Sequence, residues 1–212
     1  MKPHLIILGA PGSGKGTQAS RLAGKGYRHI STGDLLRSEI AKNTELGQKV
    51  SGILSRGDLV DDNTVMALLK ANCDINMVSY IFDGFPRNVV QAEMLDTQLL
   101  QGCNSIAVYY KLEPGVLIDR IVNRRTCAKC GEIYNLNTKP PMKSNVCDKC
   151  GSINELKQRK DDTQEVVSNR LKIFADTVNP MLLFYKAKGA LVEIDASKPE
   201  DEVFDNLEKV IC

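Results

Sequence analysis

No stretch of this 212-residue sequence approaches the ~20 consecutive apolar residues a membrane helix needs. The opening "MKPHLIILGAPGSG" holds an apolar run of only four residues before Gly9, too short for the core of a signal peptide. These absences lead to the expectation of a soluble, cytoplasmic protein with no membrane partner. In that compartment thiols stay reduced, so disulfides are not expected. A large charge of one sign is also missing: the net charge is +2, too little to argue for nucleic acid. Histidine is scarce. His4 and His29 both fall in or beside expected strands and outside every motif, so both are read as core or strand-edge residues rather than catalytic ones.

What is present is an ordinary globular composition, 42% hydrophobic and 25% charged, in a chain long enough for one domain with insertions or two small domains. The charge is unevenly spread. Residues 124–160 hold nine Lys or Arg against three acidic residues, a local +6 that leaves −4 for the rest. A basic lobe on a mildly acidic body suits either a nucleic-acid patch or a cover over a small polyanion.

Short apolar runs alternate with amphipathic stretches. Strands are expected at 4–10, 80–84, 105–112 and 190–195, with "YRHIS" at 27–31 as a weaker fifth. Helical patterns occupy 15–25, 34–43, 46–56, 62–73, 88–100, 114–125, 161–187 and 199–211, and Pro180 is expected to bend or break the long one. This alternation predicts an α/β fold with a parallel five-stranded sheet carrying helices on both faces. Residues 126–158 break the rhythm with four cysteines, the turn-prone "NTKPPMK" and little periodicity, and read as an insertion.

"GAPGSGKGT" (9–17) follows a strand and opens a helix, the context in which a glycine-rich loop wraps backbone N–H groups around phosphate oxygens. Lys15 would reach the outer phosphates as a point charge. Gly16 follows it where many such loops carry Ser or Thr, and the hydroxyl arrives only at Thr17. Asp83, ending its strand, is therefore the better candidate for handling Mg²⁺, directly or through water.

Six of the ten arginines sit in suggestive places: Arg37, Arg87, Arg120, Arg124, Arg159 and Arg170. Planar guanidinium forks bind phosphate bidentately, so arginines clustered with a phosphate loop favour phosphate recognition. Arg120 and Arg124, four apart, are expected on one helix face, and Arg159 and Arg170, eleven apart, on another. No general base appears near the loop. A hydroxyl acceptor would benefit from one, whereas a phosphate acceptor arrives already deprotonated, so the pattern points to transfer between two phosphate groups.

The cysteines divide into Cys127, Cys130, Cys147 and Cys150, spaced C-x2-C-x16-C-x2-C, and three scattered thiols, Cys73, Cys103 and Cys212, read as buried or incidental. Four thiolates at this spacing fit a tetrahedral structural zinc site, with iron, an iron–sulfur cluster or redox use as alternatives. About 35 polar residues cannot bury enough surface to order themselves, and a bound metal supplies the missing stability. Four protein ligands leave no open position, so the metal is expected to be catalytically idle.

Taken together, "GAPGSGKGTQ", "ISTGDLLR", "FDGFPR" with "QAE", "DRIVNRR" and "RKDD" followed by Arg170 resemble the adenylate kinases in their long-lid bacterial form, over essentially the whole chain. The resemblance implies a P-loop NTPase-type core (1–30, 61–123 and 162–212) with two mobile inserted subdomains. Of these, 31–60 would close over AMP and 124–161 over ATP. It places the ATP phosphates on Gly12, Ser13, Gly14, Lys15, Gly16 and Thr17, and the adenine near Arg124, Ile133, Tyr134 and the backbone at Lys198, with Arg120 also among the ATP-binding residues. AMP would meet Thr32, Arg37, Asp58, Leu59, Val60, Gly84, Phe85, Pro86, Arg87, Gln91, Arg159 and Arg170. Lys15, Arg87, Arg124, Arg159 and Arg170 would surround the transferred group, with Asp83 supporting Mg²⁺. The implied reaction is ATP + AMP = 2 ADP, catalysed by a monomer. UMP or CMP as acceptor is a rival within the same fold. A zinc-ribbon nucleic-acid module is a rival of another class, opposed by Tyr134 being the only aromatic residue of the insertion.

Overall fold

The computed structural model describes residues 2–211; Cys212 lies outside the described residues. Five strands, β1 (His4–Gly9), β2 (Tyr27–Ser31), β3 (Ser79–Asp83), β4 (Ser105–Lys111) and β8 (Leu191–Asp195), form one sheet in the order β2-β3-β1-β4-β8, every pairing parallel. All six residues of central β1 are buried. It reads as a continuous apolar run, without alternation, because both faces of a parallel sheet are covered.

Side chains alternate between two cores. Ile6, Leu8, Tyr80 and Phe82 point to one, together with residues of α4 (Asp62–Asn72), α5 (Val89–Met94) and α7 (Gln164–Ala187). Leu5, Ile7, Ile81 and Val108 point to the other, packed on α1 (Lys15–Ala23) and α8 (Glu200–Ile211). The expected α/β sheet with helices on both faces is what forms, weak fifth strand included.

The boundaries differ in instructive ways. α7 runs through Pro180 without interruption. Proline removes one backbone donor, but Val167 on one side and Val178, Met181 and Tyr185 around it are all buried, and that packing holds both halves in line. The helix begins only at Gln164, capped by Thr163, so Arg159 precedes it and shares no helix face with Arg170. Likewise α6 is only Leu117–Val122, and Arg124 opens β5 (Arg124–Cys127) instead of sharing a face with Arg120. The expected 88–100 helix is α5 followed by a wider π turn over Leu95–Leu100.

β5 pairs antiparallel with β6 (Ile133–Asn135) and β7 (Leu156–Lys157) in a small second sheet that carries the cysteines. Between β2 and β3, α2 (Thr32–Ala41) and α3 (Glu45–Arg56) pack closely against one another at Gly47. A Cβ on Gly47 would lie 2.2 Å from the Glu39 carbonyl oxygen. Thr44 spans the same corner, accepting from the Gly47 N–H and donating to Glu39 Oε2 at 2.8 Å.

Alanine at position 47 would gain about 1 kcal/mol of helix propensity. Overpacking against rigid backbone costs about 1–3 kcal/mol or more, so the clash prevails. Gly47→Ala is therefore expected to lower the melting temperature by roughly 3–10 °C. An unchanged calorimetric midpoint would show that the two helices part freely.

Candidate active site

The turn between β1 and α1 is shaped by glycine. Gly12 has φ 83°, and a Cβ there would stand 2.9 Å from Ile121 Cγ1 and 3.1 Å from the Leu117 carbonyl oxygen, so α6 packs directly on the loop. Gly14 precedes α1 with no side chain capping the helix and no acidic residue in its first turn. Its first N–H groups thus face the loop without an internal anion, the arrangement that binds phosphate.

Lys15 folds back, donating to the Ala10 carbonyl at 3.2 Å. Its ammonium pKa is pushed down to about 8, chiefly by burial; Asp83 opposes the shift, and repulsion from Arg87, Arg124 and Arg170 adds to it. Burial alone would raise the Asp83 carboxyl. The His29 hydrogen bond, Lys15 and Arg87 together hold it below the usual carboxylate range.

Lys15, Arg87, Arg124, Arg159 and Arg170 all line one cleft of about 860 Å³. Burial and mutual repulsion push Arg87 and Arg159 each down to about 10. Three aspartates pair with members of this array. Arg124 grips fully buried Asp162 with two bonds of 2.9 and 2.6 Å. Arg170 pairs with Asp161, which Arg37 also approaches at 3.6 Å. Arg37 and Arg159 converge on Asp34 at 2.6 and 3.7 Å. These carboxylates occupy sites that phosphate oxygens satisfy equally well.

The expected nucleotide contacts divide between the cleft and an adjoining side pocket. Gly12 to Thr17, Arg120, Arg124, Ile133, Tyr134 and Lys198 line the cleft, as do Asp83, Pro86 and Arg159. Thr32, Asp58, Val60, Phe85 and Gln91 line the side pocket; Arg37, Leu59, Gly84, Arg87 and Arg170 face both. Ile133 Cδ1 stands 3.8 Å from where a Gly16 Cβ would be, directly over the loop.

Tyr134 plays a double part. Its side chain is buried, and its hydroxyl accepts the Asp148 N–H at 2.7 Å, leaving its proton for Cys147 Sγ at 3.4 Å. The four expected thiols meet there, all sulfurs within 4.8 Å of one another. Cys127–Cys150 and Cys130–Cys147 are 3.7 and 3.6 Å apart. A disulfide is far shorter, about 2 Å. The edge of a tetrahedron with 2.3 Å metal–sulfur bonds is about 3.8 Å, so the donor set fits zinc. Both knuckles close alike: Gly131 N–H donates to the Cys127 carbonyl and Gly151 N–H to that of Cys147. Ser152 Oγ lies 3.2 and 3.1 Å from Cys127 and Cys150.

A family model described as adenylate kinase matches residues 7–190. The chain belongs to the adenylate kinase family. Adenylate kinases of Caldanaerobacter subterraneus subsp. tengcongensis and Archaeoglobus fulgidus are each 41% identical over 216 residues, spanning 98% of this chain and 96% and 97% of their own lengths. That of Thermosipho melanesiensis is 40% identical over 213 residues, or 98% of this chain and 99% of its own. Membership makes the chain a phosphoryl-transferring kinase, and it explains why the cleft gathers cations.

Sequence reasoning missed four members of this adenylate kinase cleft. Asp34, Asp161 and Asp162 stand inside quoted motifs without a role; the available signal was that Asp34 lies three residues before Arg37 and that Asp161 and Asp162 closely follow Arg159. His29, set aside as a strand-edge residue, does lie on edge strand β2, but its Nε2 also reaches Asp83 Oδ2 at 3.4 Å. Among the described residues, no helix is long and apolar enough to cross a membrane.

Among the described residues, the apolar cluster around the thiols is Cys127, Tyr134 and Cys147 with Cys130, Cys150 and Leu156, too little to hold the small sheet alone. Cys127→Ser, or stripping the metal with a chelator, is therefore expected to lower the melting temperature by roughly 5–10 °C. Turnover per folded molecule at low temperature should survive. Calorimetry paired with elemental analysis reads both, and a metal-free protein that melts normally would contradict a stabilising role.

Proposed function

We propose that this protein catalyses reversible, Mg²⁺-dependent phosphoryl transfer between ATP and AMP, giving two ADP and balancing the adenine nucleotide pool. One observation carries the reading: five cationic side chains converge on a single cleft between a phosphate loop and a side pocket. A loose phosphoryl-transfer transition state needs positioning and charge stabilisation, which this array supplies, and a phosphate acceptor needs no deprotonation.

In this reading the P-loop NTPase-type core holds the ATP phosphates on the Gly12–Thr17 turn, where Lys15 and the α1 N–H groups orient them. Arg120, Arg124, Ile133, Tyr134 and Lys198 border the adenosine. Arg37, Arg159 and Arg170 exchange their aspartate partners for the AMP phosphate and the migrating group, and Arg87, held on the Gly84 carbonyl, joins them. Thr32, the 58–60 segment, Gly84 to Pro86 and Gln91 enclose the AMP base. Asp83, kept ionised beside the loop, fits as a Mg²⁺-supporting carboxylate, with Thr17 the nearest loop hydroxyl in sequence. Bound Mg²⁺ would neutralise phosphate charge. Residues 31–60 and 124–161 act as separate covers that exclude water, the second shaped by structural Zn²⁺. The protein works as a cytoplasmic monomer without nucleic acid.

Incubation with Mg²⁺·ATP and, separately, AMP, UMP, CMP or GMP, followed by ion-exchange quantification, tests the substrate assignment. ADP should appear with AMP as the preferred acceptor. Equal consumption of UMP or CMP would reassign the side pocket. No consumption of any monophosphate would overturn the proposal.

The pH profile tests the role of Lys15. In the free protein its ammonium is lost as pH rises through about 8. Bound phosphate, an opposite charge, restores it. Hence kcat/KM for ATP should fall above about pH 8, while kcat, which reports the bound complex, persists to higher pH. A kcat/KM flat well beyond that point would remove Lys15 from triphosphate capture.

A further inference from the structure

Gln91 is 2% exposed and lines the side pocket, and the protein already holds its amide at both ends. Its Oε1 accepts the Arg87 backbone N–H at 2.7 Å, and its Nε2 donates to Asp62 Oδ1 at 2.7 Å. A backbone N–H can only donate and an ionised carboxylate can only accept, so the amide has one permitted orientation. Flipping it would set donor against donor at Arg87 and acceptor against acceptor at Asp62. The second Nε2 hydrogen has no protein partner among the described residues, and the pocket walls beside it include the apolar Leu36, Leu59, Val65 and Phe85.

Asp62 is free for this task. The N-terminus of α4 is capped by its neighbour Asp61, whose Oδ1 accepts the Thr64 N–H at 2.9 Å. No Lys or Arg among the described residues forms an ion pair with Asp62.

We infer that Asp62 is a positioning residue for base selection: through its hydrogen bond it locks Gln91 so that the side pocket offers a fixed N–H donor to the ring-nitrogen acceptor of adenine. The inference rests on the reading of the side pocket as the monophosphate base site. Hypoxanthine is the informative competitor, because its N1 carries a hydrogen where adenine N1 carries a lone pair. A fixed donor accepts the first base and opposes the second, and a site committed to one hydrogen-bond polarity discriminates strongly. Without Asp62 the amide is tied only at its oxygen, and the donor loses its fixed direction.

The test compares AMP and IMP as acceptors for the intact protein and for Asp62→Ala, Asp62→Asn and Gln91→Ala, with melting temperatures measured alongside. Asp62→Ala is expected to raise KM for AMP about tenfold, the scale of one hydrogen bond to a charged group. It should leave kcat and KM for ATP within about twofold and lower the AMP-to-IMP ratio of kcat/KM at least severalfold. Asp62→Asn, whose carbonyl oxygen accepts the same N–H, should recover much of the loss. If Gln91→Ala collapses the ratio and Asp62→Ala does not, the inference is overturned while the pocket assignment stands. If Gln91→Ala also leaves the ratio unchanged, the pocket assignment fails and the inference falls with it. A lowered melting temperature with an unchanged ratio would mark Asp62 as merely structural and overturn the inference too.

Discussion

Repulsion among Lys15, Arg87, Arg124, Arg159 and Arg170 is the constraint around which the rest of this molecule is arranged. Burial and mutual repulsion weaken the protonated forms of Lys15, Arg87 and Arg159. Such an array persists only if carboxylates are interleaved with it, and Asp34, Asp83, Asp161 and Asp162 meet that need. Breaking a buried pair by removing one partner is far costlier than the net worth of the pair. The aspartates are thus as much a part of the site as the arginines, and a polyanionic substrate is the ligand that can replace them.

The parallel sheet decides where this array can exist. Glycine-rich turn, Asp83 and the Ala196–Lys198 turn follow the carboxyl ends of β1, β3 and β8, at one edge of the sheet. In open α/β sheets ligands gather at that edge because successive loops emerge there together. Two further segments, α2–α3 and the small cysteine-bearing sheet, bring Arg37, Arg124 and Ile133 to the same cleft. The small sheet has almost no apolar core, and the four thiols gathered in it are a donor set that fits a structural zinc. Tyr134 joins the two, walling the cleft on one side and reaching Cys147 of the thiol cluster on the other.

Much of this was readable beforehand, for reasons that differ by feature. The phosphate loop, the Asp83 strand end and the C-x2-C pairs are local: a few adjacent residues carry the whole physical requirement, so spacing alone reveals it. The central strands β1 and β3 were readable because burial on both faces leaves continuous apolar runs, whereas edge strand β2, half exposed, gave only a weak signal. Helix ends were not, since they depend on what packs beyond them. Pro180 failed to break α7 because buried neighbours outweigh one missing hydrogen bond. Arg124 and Arg159 lay outside the helices expected for them because the chain turns into β5, or waits for Thr163, before the next element begins.

The sequence by itself determined the chemistry on offer: an anion-binding turn, a surplus of guanidinium groups, a tetrahedral thiolate set and no base. Covalent structure and local backbone geometry suffice for those. Only the tertiary structure decided which groups oppose one another: His29 against Asp83, three aspartates among the arginines, and Asp62 against Gln91 across 29 residues of chain. Such pairings are set by where helices cross and strands align, and hydrogen-bond direction then leaves each polar group one orientation. Linear spacing carries no record of that.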